Sequence, residues 1–363
     1  MNDIVKQIYS SLNKDLSWIE KHTIFLTIHG SIAYGLNTPE SDIDLRGFCT
    51  TPKEYLLGFN KNFEQYITKE PDCTIFNIKK FFALTCQNNP NTLELLFVEP
   101  EHHIFVNEIG KVLLDNRDRF LSKLVKERYI GYSKAQAHRI IQHRSWLLHP
   151  IEAMPLRKDF GLSEKIPIGK NQFDAVKSLI QKKLESWIPD FEPFSDSQKI
   201  YLQNKVSDIL SEVNIYADDK YAAAARSIGL DENLIQIIKK EKEFENKVQE
   251  HKNYLSWKEN RNPKRALQEA VVGYDCKHAT QLIRLLILGK EILDTGKVQV
   301  KRTFDREKLM EIKTGKWSYE KLIESTDKME LEVKESYKNS KLPNQPDIKY
   351  LDNLCIELIE RNL

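Results

Sequence analysis

Residues 23–48, TIFLTIHGSIAYGLNTPESDIDLRGF, constrain the fold of this chain more than any other stretch. The run Ile24-Phe25-Leu26-Thr27-Ile28 has the length and the β-branched and aromatic content of a buried strand. It breaks at His29-Gly30-Ser31. The missing Cβ of Gly30 lets a bound group approach the backbone, and Ser31 adds a hydroxyl beside the free N–H groups of a following helix, a combination that suits a phosphate. After ten further residues, Ser41-Asp42-Ile43-Asp44-Leu45 alternates so that Ile43 and Leu45 point to one face of a second strand and both carboxylates to the other. Two carboxylates on one face repel each other unless a cation joins them, and Mg²⁺ takes hard oxygen ligands and is completed by phosphates. The plainer alternative is a helix N-cap followed by a solvated acidic turn.

A strand, Gly30-Ser31, a spacer and then Asp42-x-Asp44 between apolar residues resembles the signature of the DNA polymerase β-like nucleotidyltransferases. The local form HGSxAYGL…SDIDLRG is similar to a narrower subgroup of predicted nucleotidyltransferases from cells and large phages, some encoded near RNA ligases. The resemblance implies an α+β fold, a small mixed sheet backed by helices, followed here by a large all-helical region. It also implies transfer of a nucleoside monophosphate from a nucleoside triphosphate to an acceptor hydroxyl, with Mg²⁺ or Mn²⁺ as cofactor. A third carboxylate from a neighbouring strand completes such a site, helping to hold a metal and taking the proton of the attacking hydroxyl. Asp72, at a strand start and within the subgroup's D-x-x-I-[YF]…KF pattern, is the candidate; Glu64 and Glu70 compete with it. The expected catalytic and metal set is therefore Asp42, Asp44 and Asp72, with Gly30 and Ser31 on the phosphates.

Two further stretches carry the resemblance. Residues 88–97, NNPNTLELLF, match an NPxxLExL segment in which Glu94 either orients a basic side chain near the phosphates or is a first-turn glutamate favoured by the helix dipole. Residues 257–288 contain GYDCKHATQLIRLL, similar to the subgroup's GYDxKHAxxLxRLL block. On a helix Lys277, Gln281 and Arg284 share one stripe. The resemblance implies that Lys277, His278 and Arg284 bind the nucleotide opposite the carboxylates. The alternative is a buried polar network, Asp275 with a cation, locking the helices to the sheet.

The remaining chain reads as follows. Ile4, Ile8, Leu12, Leu16 and Ile19 predict one helix across residues 1–22. Pro52 and Gly58 bound a short helix, strands are expected near 63–68 and 72–78, and His102-His103 fall in a polar loop. From about residue 119 the sequence is helical, with helices expected near 120–146, 171–188, 196–213 and 231–255. In the first of these, Leu121, Leu124, Val125, Tyr129, Ile130, Ile140 and Ile141 form the inner side. Three regions are expected: 1–118, the nucleotidyltransferase domain; 119–256, a helical domain; and 257–363, helices packing on the active site. The net charge, 55 Lys and Arg against 53 Asp and Glu, does not announce a nucleic-acid binder. Basic residues nevertheless gather on 123–144 and 258–284, either as solvated helix faces or as a surface for an anion, which suggests an RNA end awaiting ligation as acceptor. Nucleotidylation of a protein or small molecule, and a nucleotide-binding regulator without turnover, stay open, as do the base preference and the oligomeric state. Five scattered cysteines without CxxC spacing argue against a disulfide framework or a zinc site. The N-terminal segment lacks the pattern of a secretory leader, and no apolar run approaches the ~18 residues of a membrane span. A cytoplasmic protein without membrane contact is expected.

Overall fold

The computed structural model describes residues 2–10, 12–165, 169–186 and 220–362. It comprises two compact units, Met1–Leu148 with Asn262–Leu363, and His149–Arg261.

The first unit is built on a five-stranded mixed sheet: β1 (Thr23–His29), β2 (Asp44–Cys49), β3 (Gln65–Lys69), β4 (Asp72–Asn77) and β5 (His103–Val106), in the order β3-β4-β2-β1-β5. β2 and β4 run parallel and the other neighbours antiparallel. Alternation sends Leu26, Ile28, Leu45, Cys73 and Ile75 to one face, where they pack with Ile8 and Ile19 from the N-terminal segment. The opposite face starts in the main core, where Phe25 stacks on Phe48 at 5.0 Å and Phe48 on Phe81 at 4.2 Å between ring centres. The buried helix Cys276–Thr295 supplies Leu282, Ile283, Leu285, Leu286 and Leu288 to that core, and the helix Leu124–Leu148 adds Val125, Tyr129 and Ile140.

Three expectations need correction. The single helix across residues 1–22 is broken into Asn2–Ser10, a 3₁₀ turn at Lys14–Leu16, and Ile19–His22, because the Asn13 side chain accepts a hydrogen bond from the Leu16 amide and starts a new turn. The His102-His103 loop ends in an edge strand, with His103 paired to Thr27. On the helix Leu124–Leu148, Ile141 is exposed while Ile140 is buried, since residues one apart lie about 100° apart around a helix. The bracketed short helix appears at Lys53–Leu57 between Pro52 and Gly58.

The second unit contains helices Lys170–Ser186, Lys220–Ser227 and Glu232–Asn260 around Phe173, Ile180, Ala224, Ala225, Ile235 and Ile238. Buried Glu241 is held by a bidentate pair from Arg157. The helix expected near 196–213 lies outside the described residues. Among those described, no helix is long and apolar enough to cross a membrane.

Candidate active site

Strand register assembles the site. His29 of β1 lies opposite Asp44 of β2, and the parallel pairing of Leu45 with Cys73 brings Asp72 alongside Asp44. Three side chains distant in sequence thus form one row across three strands. One step inward, Thr27, Arg46 and Thr74 form the next row on the same face, and beyond them lies the aromatic core. β2 begins at Asp44, so Asp42 stands in the preceding loop rather than on the strand. Both aspartates still line the same cleft, of about 1100 Å³, together with Gly30, Ser31 and Asp72.

Gly30 has a left-handed backbone, φ +64°, and a methyl group built on it would fall 1.8 Å from Oδ2 of Asp44. The group that needs the bare backbone here is therefore the protein's own carboxylate. Burial pushes Asp44 above the ordinary carboxylate range, and the neighbouring Asp72 carboxyl pushes it further. At Asp72 burial acts upward too, but it is outweighed by Arg46, which donates from Nη1 to Oδ1 at 2.9 Å and from Nη2 to Oδ2 at 3.3 Å and carries the group below the ordinary range. Arg46 was not singled out in the sequence. It lies two residues beyond Asp44, and extending the alternation one step would have put it on the carboxylate face.

Behind the row, burial and the charges of Arg46 and Arg284 press His29 down to about 3, so its ring is neutral. Its Nε2 lies 3.3 Å from the Tyr34 hydroxyl. Tyr34 in turn supports the Arg284 guanidinium, 3.8 Å above its ring centre, and Arg284 donates from Nη1 to Oε2 of Glu94 at 2.8 Å. Both members of this ion pair are 1% exposed. Arg284 is outside the cleft lining; its cation is committed to Glu94 and the phenol ring.

Lys264, Arg265, Lys277 and Lys313 line the same cleft. Burial, then the charges of Lys277 and Arg265, lower the Lys313 ammonium below its ordinary value, as expected where like charges crowd. Lys277 reaches far enough to stabilise ionised Asp44. His278 lies outside the lining, with Nδ1 2.7 Å from Oε1 of Gln136 on the helix Leu124–Leu148. The structure thus brings Gly30, Ser31, Asp42, Asp44, Asp72 and Lys277 together, and sets His278 and Arg284 behind them. Lys313 carried no sequence signal, because nothing in residues 306–313 marks the turn of chain that delivers it to the cleft. The basic residues of 123–144 are largely engaged locally: Lys126 lies over the Tyr337 ring at 4.6 Å, Lys134 is 3.8 Å from Glu330, and Arg144 donates to the Gly273 carbonyl at 2.8 Å.

A small mixed sheet with carboxylates at the end of adjacent strands beside a Gly-Ser turn, followed by helices, is the fold of a polymerase β-like nucleotidyltransferase. Residues 6–149, the segment that carries the whole sheet, match the profile of the RNA repair pathway DNA polymerase beta family. An uncharacterized 38.9 kDa protein in the nrdC-mobD intergenic region of Enterobacteria phage T4 is 31% identical over 127 residues, a match covering 32% of this chain and 38% of that protein. The match therefore spans well under two thirds of the relative. No solved structure matches the chain.

Proposed function

We propose that this protein transfers a nucleoside monophosphate from a nucleoside triphosphate to a hydroxyl at an RNA end, as one step of RNA repair. The observation that carries the reading is the make-up of the cleft: Asp42, Asp44 and Asp72 line it together with Lys264, Arg265, Lys277 and Lys313. A metal-bound triphosphate needs both kinds of group. The description of the matched family supports the RNA repair setting.

The carboxylates fit a divalent metal, since they are hard oxygen donors, Asp44 and Asp72 sit side by side on paired strands, and Asp42 lines the same cleft. Asp42, Asp44 and Asp72 would hold Mg²⁺ or Mn²⁺. When bound, such an ion offsets phosphate charge and acidifies the attacking hydroxyl. The chain's own residues do the rest. The Gly30-Ser31 backbone and hydroxyl receive the outer phosphates, Lys277 and Lys313 neutralise them and the departing pyrophosphate, and Ile67 and Phe76 offer an apolar surface to the base. Arg46 keeps Asp72 ionised and aimed, so that it takes the hydroxyl proton during in-line attack on the α-phosphorus. His278 and Arg284 act from behind, by fixing the start of the Lys277 helix and the Tyr34–His29 pair. Lys264 and Arg265, at the cleft on the helix Pro263–Val272, meet the RNA backbone.

The test is incubation of the protein with each α-labelled nucleoside triphosphate and Mg²⁺ in the presence of RNA, DNA and protein pools. Label in RNA supports the proposal. Label in protein would reassign the acceptor, and nucleotide binding without transfer would make the chain a regulator.

A further inference from the structure

At Asp275, which lines the cleft, three side chains converge from two helices. Asp275 caps the helix Cys276–Thr295, and its Oδ1 accepts the amides of Lys277 at 2.8 Å and His278 at 3.0 Å. That leaves Oδ2, which lies 3.6 Å from Nε2 of His278. His143, from the helix Leu124–Leu148, meets the His278 ring edge-on at 5.7 Å between centres. One ligand atom from each of His143, Asp275 and His278 lies within 4.8 Å of the others. We infer that these three residues form a zinc site that clamps the two helices together beside Lys277.

The chemistry of the donors supports it. The oxygen of Gln136 faces Nδ1 of His278 at 2.7 Å, and a carbonyl oxygen only accepts, so the proton sits on Nδ1 and Nε2 presents its lone pair to the Asp275 carboxylate. Two lone-pair atoms turned toward each other beyond hydrogen-bond distance call for a cation between them. With metal–ligand distances near 2.0–2.2 Å, a tetrahedral ion separates its ligands by roughly 3.3 Å. The Asp275–His278 edge, 3.6 Å, is close to that, and the other two are within 4.8 Å. The hydrogen bond from a ligating histidine's other nitrogen to an oxygen is the usual outer support of such a site, and Gln136 provides it. The loop leading into the site is held on both sides, by Arg144 on the Gly273 carbonyl at 2.8 Å and by the Tyr274 hydroxyl on the Trp317 carbonyl at 2.9 Å. Two imidazoles and one carboxylate favour a borderline-soft ion. Arg139, Lys277 and Arg265 surround His278 and act against ions held by charge alone, such as Mg²⁺. Three protein ligands leave one position for water.

The full-length protein is stripped with chelator, dialysed against zinc chloride with or without excess Mg²⁺, and its metal counted by elemental analysis; Co²⁺ loading reads the geometry from its visible absorption. One zinc per chain is expected, not displaced by Mg²⁺, with a tetrahedral cobalt spectrum. His143→Gln and His278→Gln should each weaken binding at least about tenfold, and Gln136→Ala about 10–100-fold. Asp42→Asn with Asp44→Asn, which are not among the three proposed ligands, should leave it unchanged. A wild-type protein without stoichiometric zinc, or zinc lost in the Asp42 and Asp44 variant but kept in His278→Gln, overturns the inference. If either histidine variant fails to fold, proton resonances of the cobalt-loaded wild type decide: two shifted imidazole N–H signals uphold the site and none overturns it.

Discussion

Replacing Gly30 with alanine separates two effects that usually travel together. Gly30 and Gly35 both have left-handed backbones, φ +64° and +68°, and an L-residue in that region costs about 1–2 kcal/mol. At Gly35 the added methyl would meet nothing nearer than 3.6 Å, whereas at Gly30 it would fall 1.8 Å from Oδ2 of Asp44. Since carbon atoms are not found at such positions closer than 3.0 Å, the Asp44 carboxylate must retreat by about 1.2 Å from its place beside Asp72. A displacement of about 1 Å in a catalytic group costs on the order of 10²-fold in rate. Both variants should therefore melt lower, at roughly 2–4 °C per kcal/mol for a unit of this size, while only Gly30→Ala loses transfer activity, by about a hundredfold. Melting curves and single-turnover transfer of labelled nucleotide to RNA measure the two quantities in parallel. Equal activity of the two variants would refute the claim that Gly30 exists to seat Asp44.

Asp42→Ala with Asp44→Ala should abolish transfer while leaving the melting temperature at or above that of the wild type. Because Asp44 is raised above the ordinary carboxylate range by burial and Asp72, its protonated form favours the native state; that contribution is present at low pH and is lost as pH climbs through the raised value. Over the same window Mg²⁺-dependent nucleotide binding, followed by titration calorimetry, should strengthen as the proton leaves, and flat binding would exclude Asp44 from the metal site. Glu94→Gln leaves the Arg284 cation buried at 1% exposure without its counter-charge and should cost about 3–5 kcal/mol in urea unfolding; a loss under 1 kcal/mol would mean that the pair is hydrated in solution. Replacing Lys264 and Arg265 together should reduce the salt dependence of RNA binding by about 1.4 in log–log slope, at ~0.7 per contact on single strands, and an unchanged slope would remove this helix from the RNA path.

The parts of the fold written in short-range signals were legible. A continuous apolar run located β1, alternation β2 and composition β4, Pro52 and Gly58 bracketed a helix, and the polymerase β-like core was readable from Gly30-Ser31 and Asp42-x-Asp44. The edge strand β5 escaped because its four residues, the first of them His103, carry too little period to register. The carboxylates and the turn could be named because each sits in a local motif. Their mutual geometry could not, since it depends on which strand pairs with which and in what register. The same limit applies to charge: a helical stripe groups Lys277 with Arg284, yet burial sends one into the cleft and the other to Glu94. The cysteine spacing, read as evidence against zinc, says nothing about the imidazoles His143 and His278, which lie on helices far apart in the chain.

The discontinuity of the first unit has a consequence for how the protein is made. The sheet and the helix Leu124–Leu148 leave the ribosome early, but the core they face is filled by Leu282, Ile283, Leu285 and Leu286, which are translated only after the whole of the intervening unit, His149–Arg261. For that interval Tyr129 lacks the helix Cys276–Thr295 that packs beside it, and the carboxylate row lacks Lys277 and Lys313. The segment that matches the family profile, residues 6–149, therefore does not contain all of the core it belongs to, and that core closes only when the last third of the chain has been made.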